Sequence, residues 1–249
     1  MGSRIFLAGA AGAIGRRLAP LLRDAGHQVV GTTRSSAKVP HLLALGVEPV
    51  VVDVFDAAAL LRAVGAARAE IVINQLTDLP SGLETGLMAE AIPRNARVRD
   101  EGSRNLVVAA LAARAVHLVA QSIAWAYAPG PLPHAEDDPL DTRAEGDRAI
   151  SIGGVVALEG WTLGAAPLTG VVLRYGQLYG PGTGREHTAG PISLHVDAAA
   201  HAALLAVDHR TSSVFNVAEA NEQVSTAKAH QELGWRPDFR LARSVESAS

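Results

Sequence analysis

The sequence predicts an α/β protein in which helices cover both faces of one doubly wound parallel β-sheet. Short apolar runs alternate with stretches of helical periodicity through most of the 249-residue chain. These runs are continuously apolar, which indicates strands that are buried on both faces. The first run leads through a glycine-rich turn into a helix, as βαβ units do.

The expected elements follow one another along the chain. The first strand is predicted at Arg4–Ala8, and the next helix has apolar positions at helical spacing and stops before Gly26. A long helix over residues 94–114 precedes the fifth strand, and a second long helix over about 145–164 precedes the sixth. The predicted strands after the first are 28–32, 49–52, 71–75, 116–121 and 168–173, followed by helix 197–208, strand 213–218 and helix 224–234.

Composition excludes several classes of protein. Hydrophobic residues make up 48% and charged residues 19%, which supports a large core and argues against disorder. The absence of cysteine excludes disulfides, thiolate nucleophiles and Cys-ligated zinc. A net charge of −3 gives no reason to expect nucleic-acid binding. Because no apolar run approaches a membrane span and no signal peptide is visible, we expect a soluble cytoplasmic protein.

Two loose segments rich in proline or glycine follow predicted strands, at residues 127–145 and 179–191. Loops after the carboxyl ends of strands form the ligand crevice of an open α/β sheet. We therefore expect both segments to contact the substrate. The corresponding division is a dinucleotide-binding Rossmann domain over 1–178 and a small substrate-binding lobe over 179–249 that is interleaved with the sheet.

The turn after the first strand reads Gly9-Ala-Ala-Gly12-Ala-Ile-Gly15. Glycine allows a tight turn and a close approach of a pyrophosphate, and the helix that follows offers free N–H groups to the phosphates. A glycine turn that only packs helix against strand is the alternative. The strand–turn–helix context favours nucleotide binding.

With this GxxGxxG spacing the sequence resembles the extended short-chain dehydrogenase/reductase (SDR) superfamily, specifically the NAD-dependent epimerase/dehydratase family. The resemblance covers almost the whole chain. Further matching segments are Asp53 and residues 102–106, 174–181, 195–197 and 232–237.

The resemblance implies which residues hold a dinucleotide. Residues of the glycine turn would hold the pyrophosphate, Asp53 and Val54 would face the adenine, and residues beyond the sixth strand would lie beside the nicotinamide. The full set is Gly9, Gly12, Ala13, Ile14, Gly15, Thr33, Arg34, Asp53, Val54, Gln75, Leu76, Thr77, Tyr175, Gln177 and Leu178.

Charge at the end of the second strand favours NADP over NAD. NAD enzymes usually place a carboxylate there to accept the ribose 2′-OH. Here the segment reads Thr33-Arg34-Ser35, with an arginine and no acid. A guanidinium binds a 2′-phosphate, although Arg34 as a solvated loop residue is the alternative.

The family's Tyr-x-x-x-Lys catalytic pair is missing. The expected positions hold Ser151 and Val155, and the only lysines are Lys38 and Lys228. Ser122 and Tyr127, just after the predicted fifth strand, are the nearest hydroxyls to the expected reaction centre. We predict that they supply the proton, so that Tyr127→Phe costs at least about tenfold in turnover.

Four further residues are candidates for substrate contacts. Arg99 replaces an asparagine common in relatives and could bind an anionic or carbonyl group, unless it belongs to a solvated stripe. Trp125 follows the fifth strand, and His134 and His187 lie in the two candidate substrate loops. The nine histidines show no metal-binding spacing, so no metal is expected.

Three functions remain open from the sequence. The first is an NADP(H)-dependent oxidoreductase (with NAD possible) that acts on a compact carbonyl or imine. The second is a non-redox cyclase, isomerase or dehydratase on the same fold, and the third is a cofactor sensor without turnover. The resemblance also implies a homodimer through the two long helices, where Ala109, Ala110, Ala112 and Ala113 would permit close approach.

Overall fold

The computed structural model describes residues 2–80, 82, 84–188 and 190–242. Seven strands, all paired in parallel, form one sheet in the order β3-β2-β1-β4-β5-β6-β9. This confirms the predicted fold class. The strands are β1 (Arg4–Ala8), β2 (Gln28–Thr33), β3 (Glu48–Val51), β4 (Ile71–Asn74), β5 (His117–Ile123), β6 (Thr169–Tyr175) and β9 (Ser213–Val217), with β7 (Gln177–Tyr179) and β8 (Ser193–His195) in a separate two-stranded sheet.

Helices cover both faces of the sheet because the strands are apolar on both sides. One face packs in a core cluster that includes Leu18, Leu42 and Phe215, and the other in a cluster that includes Leu60 and Leu106. The helices are α1 (Ala13–Asp24), α2 (Val39–Ala44), α3 (Ala57–Ala67), α4 (Thr85–Arg97), α5 (Ser103–Ala112), α6 (Gly146–Leu163), α7 (Val196–Ala206) and α8 (Ala227–Leu233).

The long helix before β5 differs from the expectation. It begins at Thr85 rather than Arg94, with Pro93 accommodated inside α4. It is also not one regular helix, because a π-helical segment, Val98–Gly102, joins α4 to α5. Such segments are rare and are frequent at functional sites.

The fifth strand extends further than predicted. It runs to Ile123, which pairs with Tyr175 of β6. Ser122 therefore lies inside β5, opposite Arg174, and not after the strand as expected. The reason is the length of β6, which continues the ladder for two residues beyond the apolar run that marked the strand in the sequence.

The strand order places the site. β1 pairs with β2 on one side and with β4 on the other, so the chain crosses back over β1 between β3 and β4. In such sheets ligands bind outside the carboxyl ends of the strands at this switch point. The last part of the chain adds α7 and edge strand β9 to the same sheet, and the division into domains 1–178 and 179–249 stays a prediction.

Candidate functional site

A cavity of about 160 Å³ opens at the switch point. It lies at the carboxyl ends of β1, β2 and β4, where the glycine turn meets the loops that follow β2 and β4. Its walls are apolar on the β3 side and polar toward the turn. The lining residues are Ala8, Gly9, Ala11, Gly12, Thr32, Thr33, Arg34, Lys38, Val52, Val54, Phe55, Leu60, Gln75, Leu76, Thr77 and Val98.

The glycine turn is compact because side chains are excluded from it. Gly9 has a φ of +87°, and a Cβ there would lie 2.7 Å from the carbonyl oxygen of Gln75. A Cβ on Gly15 would overlap the carbonyl oxygen of Gly9. The carbonyl of Gly9 instead accepts the Gly12 N–H at 2.9 Å. α1 then begins without a side-chain cap, so its first N–H groups face the cavity side unpaired and can bind a phosphate.

An orphaned amide lines the same cavity. Gln75 is 6% exposed, and neither its amide oxygen nor its amide nitrogen has a hydrogen-bond partner among the described residues. A buried, unpaired amide is costly unless a ligand satisfies it. The turn, the uncapped helix and this amide together fit a dinucleotide.

Two cations and one carboxylate surround the adenosine end of this cavity. Arg34 and Lys38 both line it. The Arg34 side chain is half exposed and lies 3.5 Å from one carboxylate oxygen of Asp78. The other oxygen of this carboxylate lies 3.6 Å from Arg94. Because Asp78 holds Arg34 only loosely at a solvent-exposed position, the guanidinium remains available to a ligand.

Eight of the predicted cofactor residues line the cavity: Gly9, Gly12, Thr33, Arg34, Val54, Gln75, Leu76 and Thr77. The others lie around it. Ala13, Ile14 and Gly15 form the first turn of α1. Asp53 is exposed, and its carboxylate accepts the Phe55 N–H at 3.0 Å rather than facing the cavity.

The three predicted nicotinamide contacts lie on the far side of the turn. Tyr175 is buried, donates to the carbonyl of Ala199 at 3.2 Å, and has a pKa raised by burial. Gln177 and Leu178 belong to β7, and the side-chain oxygen of Gln177 has no partner among the described residues.

Sequence reasoning missed several lining residues. Thr32 accepts the Gly9 N–H through its hydroxyl at 3.3 Å and so ties the turn to β2. Lys38 was noted only as one of two lysines, although it follows Arg34 by one short turn. Phe55 and Val98 gave no pattern that separates a cavity wall from ordinary core.

The proposed proton donor Ser122 is buried under α6. Its hydroxyl donates to Oε1 of Glu159 at 2.7 Å. The same carboxylate accepts from Arg174 at 3.0 and 2.7 Å, as a two-point ion pair whose side chains are 5% and 7% exposed. The Ser122 hydroxyl is thus committed to an internal partner.

Tyr127 has the same kind of environment. Its hydroxyl donates to Asn216 at 2.7 Å and accepts from Arg174 at 2.7 Å. Burial raises its pKa, although Arg174 and Asn216 act in the opposite direction, so the phenol keeps its proton at neutral pH. Its role in catalysis, like that of Ser122, stays a prediction.

The positions of the missing pair lie on α6. Ser151 is half-buried. Val155 is fully buried in a small apolar cluster with Ile123, Ala126 and Ile152. Apolar side chains therefore surround the position where the resemblance places a lysine ammonium.

The four candidate substrate residues do not converge on one point. Arg99 is buried within the π-helical segment. Trp125 is half-buried against the apolar cluster around Val155. His134 stacks on the Tyr127 ring at 4.9 Å and lies 3.0 Å from the carboxylate of Asp138.

His187 is exposed and lines a second, wider cavity of about 950 Å³ with Arg17, Arg185 and Arg240. Arg185 of this loop donates to the carbonyl of Gly82 at 2.7 Å, which closes the loop over the segment after β4. In the described part of the chain, no group of three metal-ligating side chains comes together.

Residues 9–149 match the family model described as NAD(P)H-binding. A 3-diazoavenalumate denitrifying reductase from a Streptomyces species is 40% identical over 237 residues, covering 87% of this chain and 76% of that protein.

Solved structures share the fold. WbmG of Bordetella bronchiseptica, in complex with NAD and UDP, matches with a TM-score of 0.74 and 19% identity over 97% of this chain and 91% of its own. The UDP-glucose 4-epimerase of Thermotoga maritima, with UDP-glucose, matches with a TM-score of 0.75 and 19% identity over 95% and 94%. Within the described residues, no helix combines the length and apolar character needed to cross a membrane.

Proposed function

We propose a specific reaction for this chain, which belongs to the NAD(P)H-binding family and is an NAD(P)-dependent enzyme of the SDR type. The reaction is the NADPH-dependent reduction of a compact carboxylate that carries a diazonium group, with loss of that group as N₂. The observation that carries the proposal is a dinucleotide crevice in a chain whose two candidate proton donors, Ser122 and Tyr127, both donate to buried partners. A relative named as a denitrifying reductase supports the same reaction.

Loss of nitrogen suits such a site. The reduced nicotinamide supplies a hydride, so that R–N₂⁺ and NADPH give R–H, N₂ and NADP⁺. No proton has to be delivered at a fixed atom, because the leaving group departs as a neutral gas. Reduction of a carbonyl or imine leaves an anion instead, which needs a general acid worth about 10²–10⁴-fold. The Ser122 and Tyr127 hydroxyls already donate to Glu159 and Asn216. This favours the reaction that loses nitrogen, because that reaction needs no proton from them.

The chain's own contribution is to bind and to exclude water. The apolar cluster of Ile123, Ile152 and Val155 lines the side of α6 on which the reaction is expected. A reactive diazonium group is protected from hydrolysis where water is excluded.

NADPH is favoured over NADH by the two cations at the adenosine end. Arg34 and Lys38 line the cavity where a 2′-phosphate would lie. An NAD site would instead place a carboxylate at the end of β2. Charge-assisted hydrogen bonds of this kind contribute about 1.5–3 kcal/mol each.

The reaction is tested with 4-carboxybenzenediazonium and NADPH deuterated on one face of C4. We expect protein-dependent oxidation of NADPH at 340 nm, an equal amount of N₂, and benzoate with deuterium from one face only. The matched control is Gly15→Val, which blocks the turn because even a Cβ overlaps the Gly9 carbonyl. If N₂ release is the same without protein, or deuterium is delivered from both faces, the proposal is wrong.

Cofactor choice is tested by calorimetric titration. Arg34→Ala and Lys38→Ala should each weaken NADPH binding about tenfold and leave NADH binding within about twofold. Arg62→Ala, an exposed arginine of α3, is the control. Equal losses for both cofactors would show that these cations do not read the 2′-phosphate.

A further inference from the structure

Arg99 is a buried cation without a hydrogen-bond partner. It is 7% exposed and lies in the π-helical segment between α4 and α5. Among the described residues, nothing accepts a hydrogen bond from its guanidinium, and Glu159 acts on it only through its charge. The guanidinium carries five N–H donors that remain open to an acceptor on a ligand.

Burial does not neutralise this side chain. Desolvation lowers the pKa of Arg99 to about 10, and the charge of Glu159 opposes the shift. The guanidinium therefore remains protonated at neutral pH, as arginine does in proteins generally. An acceptor from outside the chain would stabilise it.

The neighbouring charges do not balance Arg99. Three charged side chains are buried under α6: Arg99, Glu159 and Arg174. The Glu159 carboxylate already accepts two hydrogen bonds from Arg174 and one from Ser122. Two cations thus share one carboxylate, which leaves a net charge of +1 that an anion would compensate.

The position of Arg99 directs it toward the reaction site. Its neighbour Val98 lines the cofactor cavity, while Arg99 itself faces Glu159 on α6. Side chains on a helix incline toward its N-terminus. One helical turn before Arg99, the side-chain oxygen of Asn95 accepts the Asp78 N–H at 2.9 Å, just beyond the carboxyl end of β4. Arg99 thus inclines toward the carboxyl edge, on the same side as Val155.

We propose that Arg99 binds the carboxylate of the substrate, with the adjoining apolar side chains of β5 and α6 contacting its hydrocarbon part. This inference rests on the proposed function for the identity of the reaction site, and it adds the residue that binds the carboxylate of the substrate. The planar fork of a guanidinium matches the two oxygens of a carboxylate. A fixed cation at one end of the substrate would also determine which end faces the cofactor.

The test measures binding and needs no turnover. The probes are trans-cinnamate and its neutral counterpart cinnamamide, titrated by calorimetry into the NADPH-loaded protein. We expect cinnamate to bind at least about tenfold more tightly than cinnamamide. Arg99→Met should remove this preference without changing cinnamamide or NADPH binding, and Arg99→Lys should restore part of it. Arg104→Met, an exposed arginine at the start of α5, should behave as the unmodified protein.

The outcomes separate this inference from the proposed reaction. Loss of the acid-over-amide preference in Arg99→Met alone supports the inference, even if 4-carboxybenzenediazonium is never reduced. Equal binding of acid and amide to the unmodified protein overturns it, even if nitrogen is released. If Arg99→Met does not fold, Arg99→Lys decides. A smaller acid-over-amide preference in the lysine variant supports the inference, and a preference identical to that of the unmodified protein overturns it.

Discussion

Tyr127 and Ser122 show how a hydroxyl in the expected place can serve structure instead of chemistry. Both lie close in sequence to the expected reaction centre, but each donates its proton to a buried acceptor, Asn216 and Glu159 respectively. Arg174 connects the two, since it bonds to both Tyr127 and Glu159. The result is a continuous polar network beneath α6 that joins β5, β6 and β9.

Removing the Tyr127 hydroxyl should therefore affect stability more than turnover. Tyr127→Phe removes one hydrogen-bond partner from each of Asn216 and Arg174, at a cost of about 1–3 kcal/mol in the free energy of unfolding. Turnover with a diazonium substrate should fall less than about tenfold, because the proposed reaction needs no positioned acid. Urea unfolding and initial rates on the same preparation measure both quantities.

A tenfold or larger loss of turnover with unchanged stability would contradict this view of Tyr127. It would return the residue to the role of proton donor that the sequence suggested. Phe215→Leu is not a suitable control, because Phe215 is fully buried in the main core. Tyr179→Phe serves better, since that hydroxyl is half-buried and bonds to Glu219 at 2.7 Å outside the network.

The glycines of the turn could be assigned from the sequence, and the roles of Ser122 and Gln75 could not. Gly9 and Gly15 follow from the spacing of the turn, where a Cβ on Gly15 would overlap the Gly9 carbonyl. The partner of Ser122 comes from α6, more than thirty residues away along the chain. Local patterns do not encode which distant carboxylate a buried polar group meets.

Helix boundaries were harder to predict than strands. The strands are runs of apolar residues that end where pairing ends, and all the predicted ones exist within a few residues. Helices α2 and α3 were not predicted. α2 spans only six residues, and the apolar face of α3 is short. The π-helical segment could not be predicted either, because no pattern of residue types in the sequence marks it.

The surface of α5 and α6 revises the expected dimer contact. Ala109 and Ala110 are fully buried against the sheet, so they cannot line an interface between subunits. Ala112 is exposed and Ala113 is half-buried. Several large apolar side chains on these helices are exposed as well. They are Val108, Leu111, Ile150, Val156, Trp161 and Leu163.

A homodimer through this apolar surface stays a prediction. Val108→Glu and Val156→Glu should each weaken self-association at least about tenfold, because a carboxylate at the centre of an apolar interface is desolvated without a partner. Light scattering across a dilution series measures the effect. Leu61→Glu, an exposed leucine on α3, is the control. A monomer in the unmodified protein at micromolar concentration would remove the basis of the prediction.

Several histidines of the molecule lie in environments that favour the neutral imidazole. Burial lowers the pKa of His117, His195, His201 and His209. His117 is 1% exposed, and its Nε2 lies 2.8 Å from the carbonyl oxygen of Ala206, which fixes the helix α7 against β5. Its Nδ1 has no partner among the described residues. Protonation of that nitrogen would place an unpaired charge in the core.

Stability should therefore fall on mild acidification. The unfolded chain takes up protons near pH 6.5, the ordinary histidine pKa, whereas the folded chain does so only at lower pH. The contribution of His117 is complete above about pH 6.5 and is lost as the pH falls toward the lowered pKa, by up to about 1.4 kcal/mol per pH unit.

His117→Gln keeps a donor for the Ala206 carbonyl and cannot be protonated. Thermal unfolding at pH 7.5 and 5.5 should show a drop in Tm that is smaller by about 2–4 °C in this variant. As a control, His41→Gln at an exposed position should show the full drop in Tm. If His117→Gln and the unmodified protein have the same pH dependence of Tm, His117 does not couple protonation to folding.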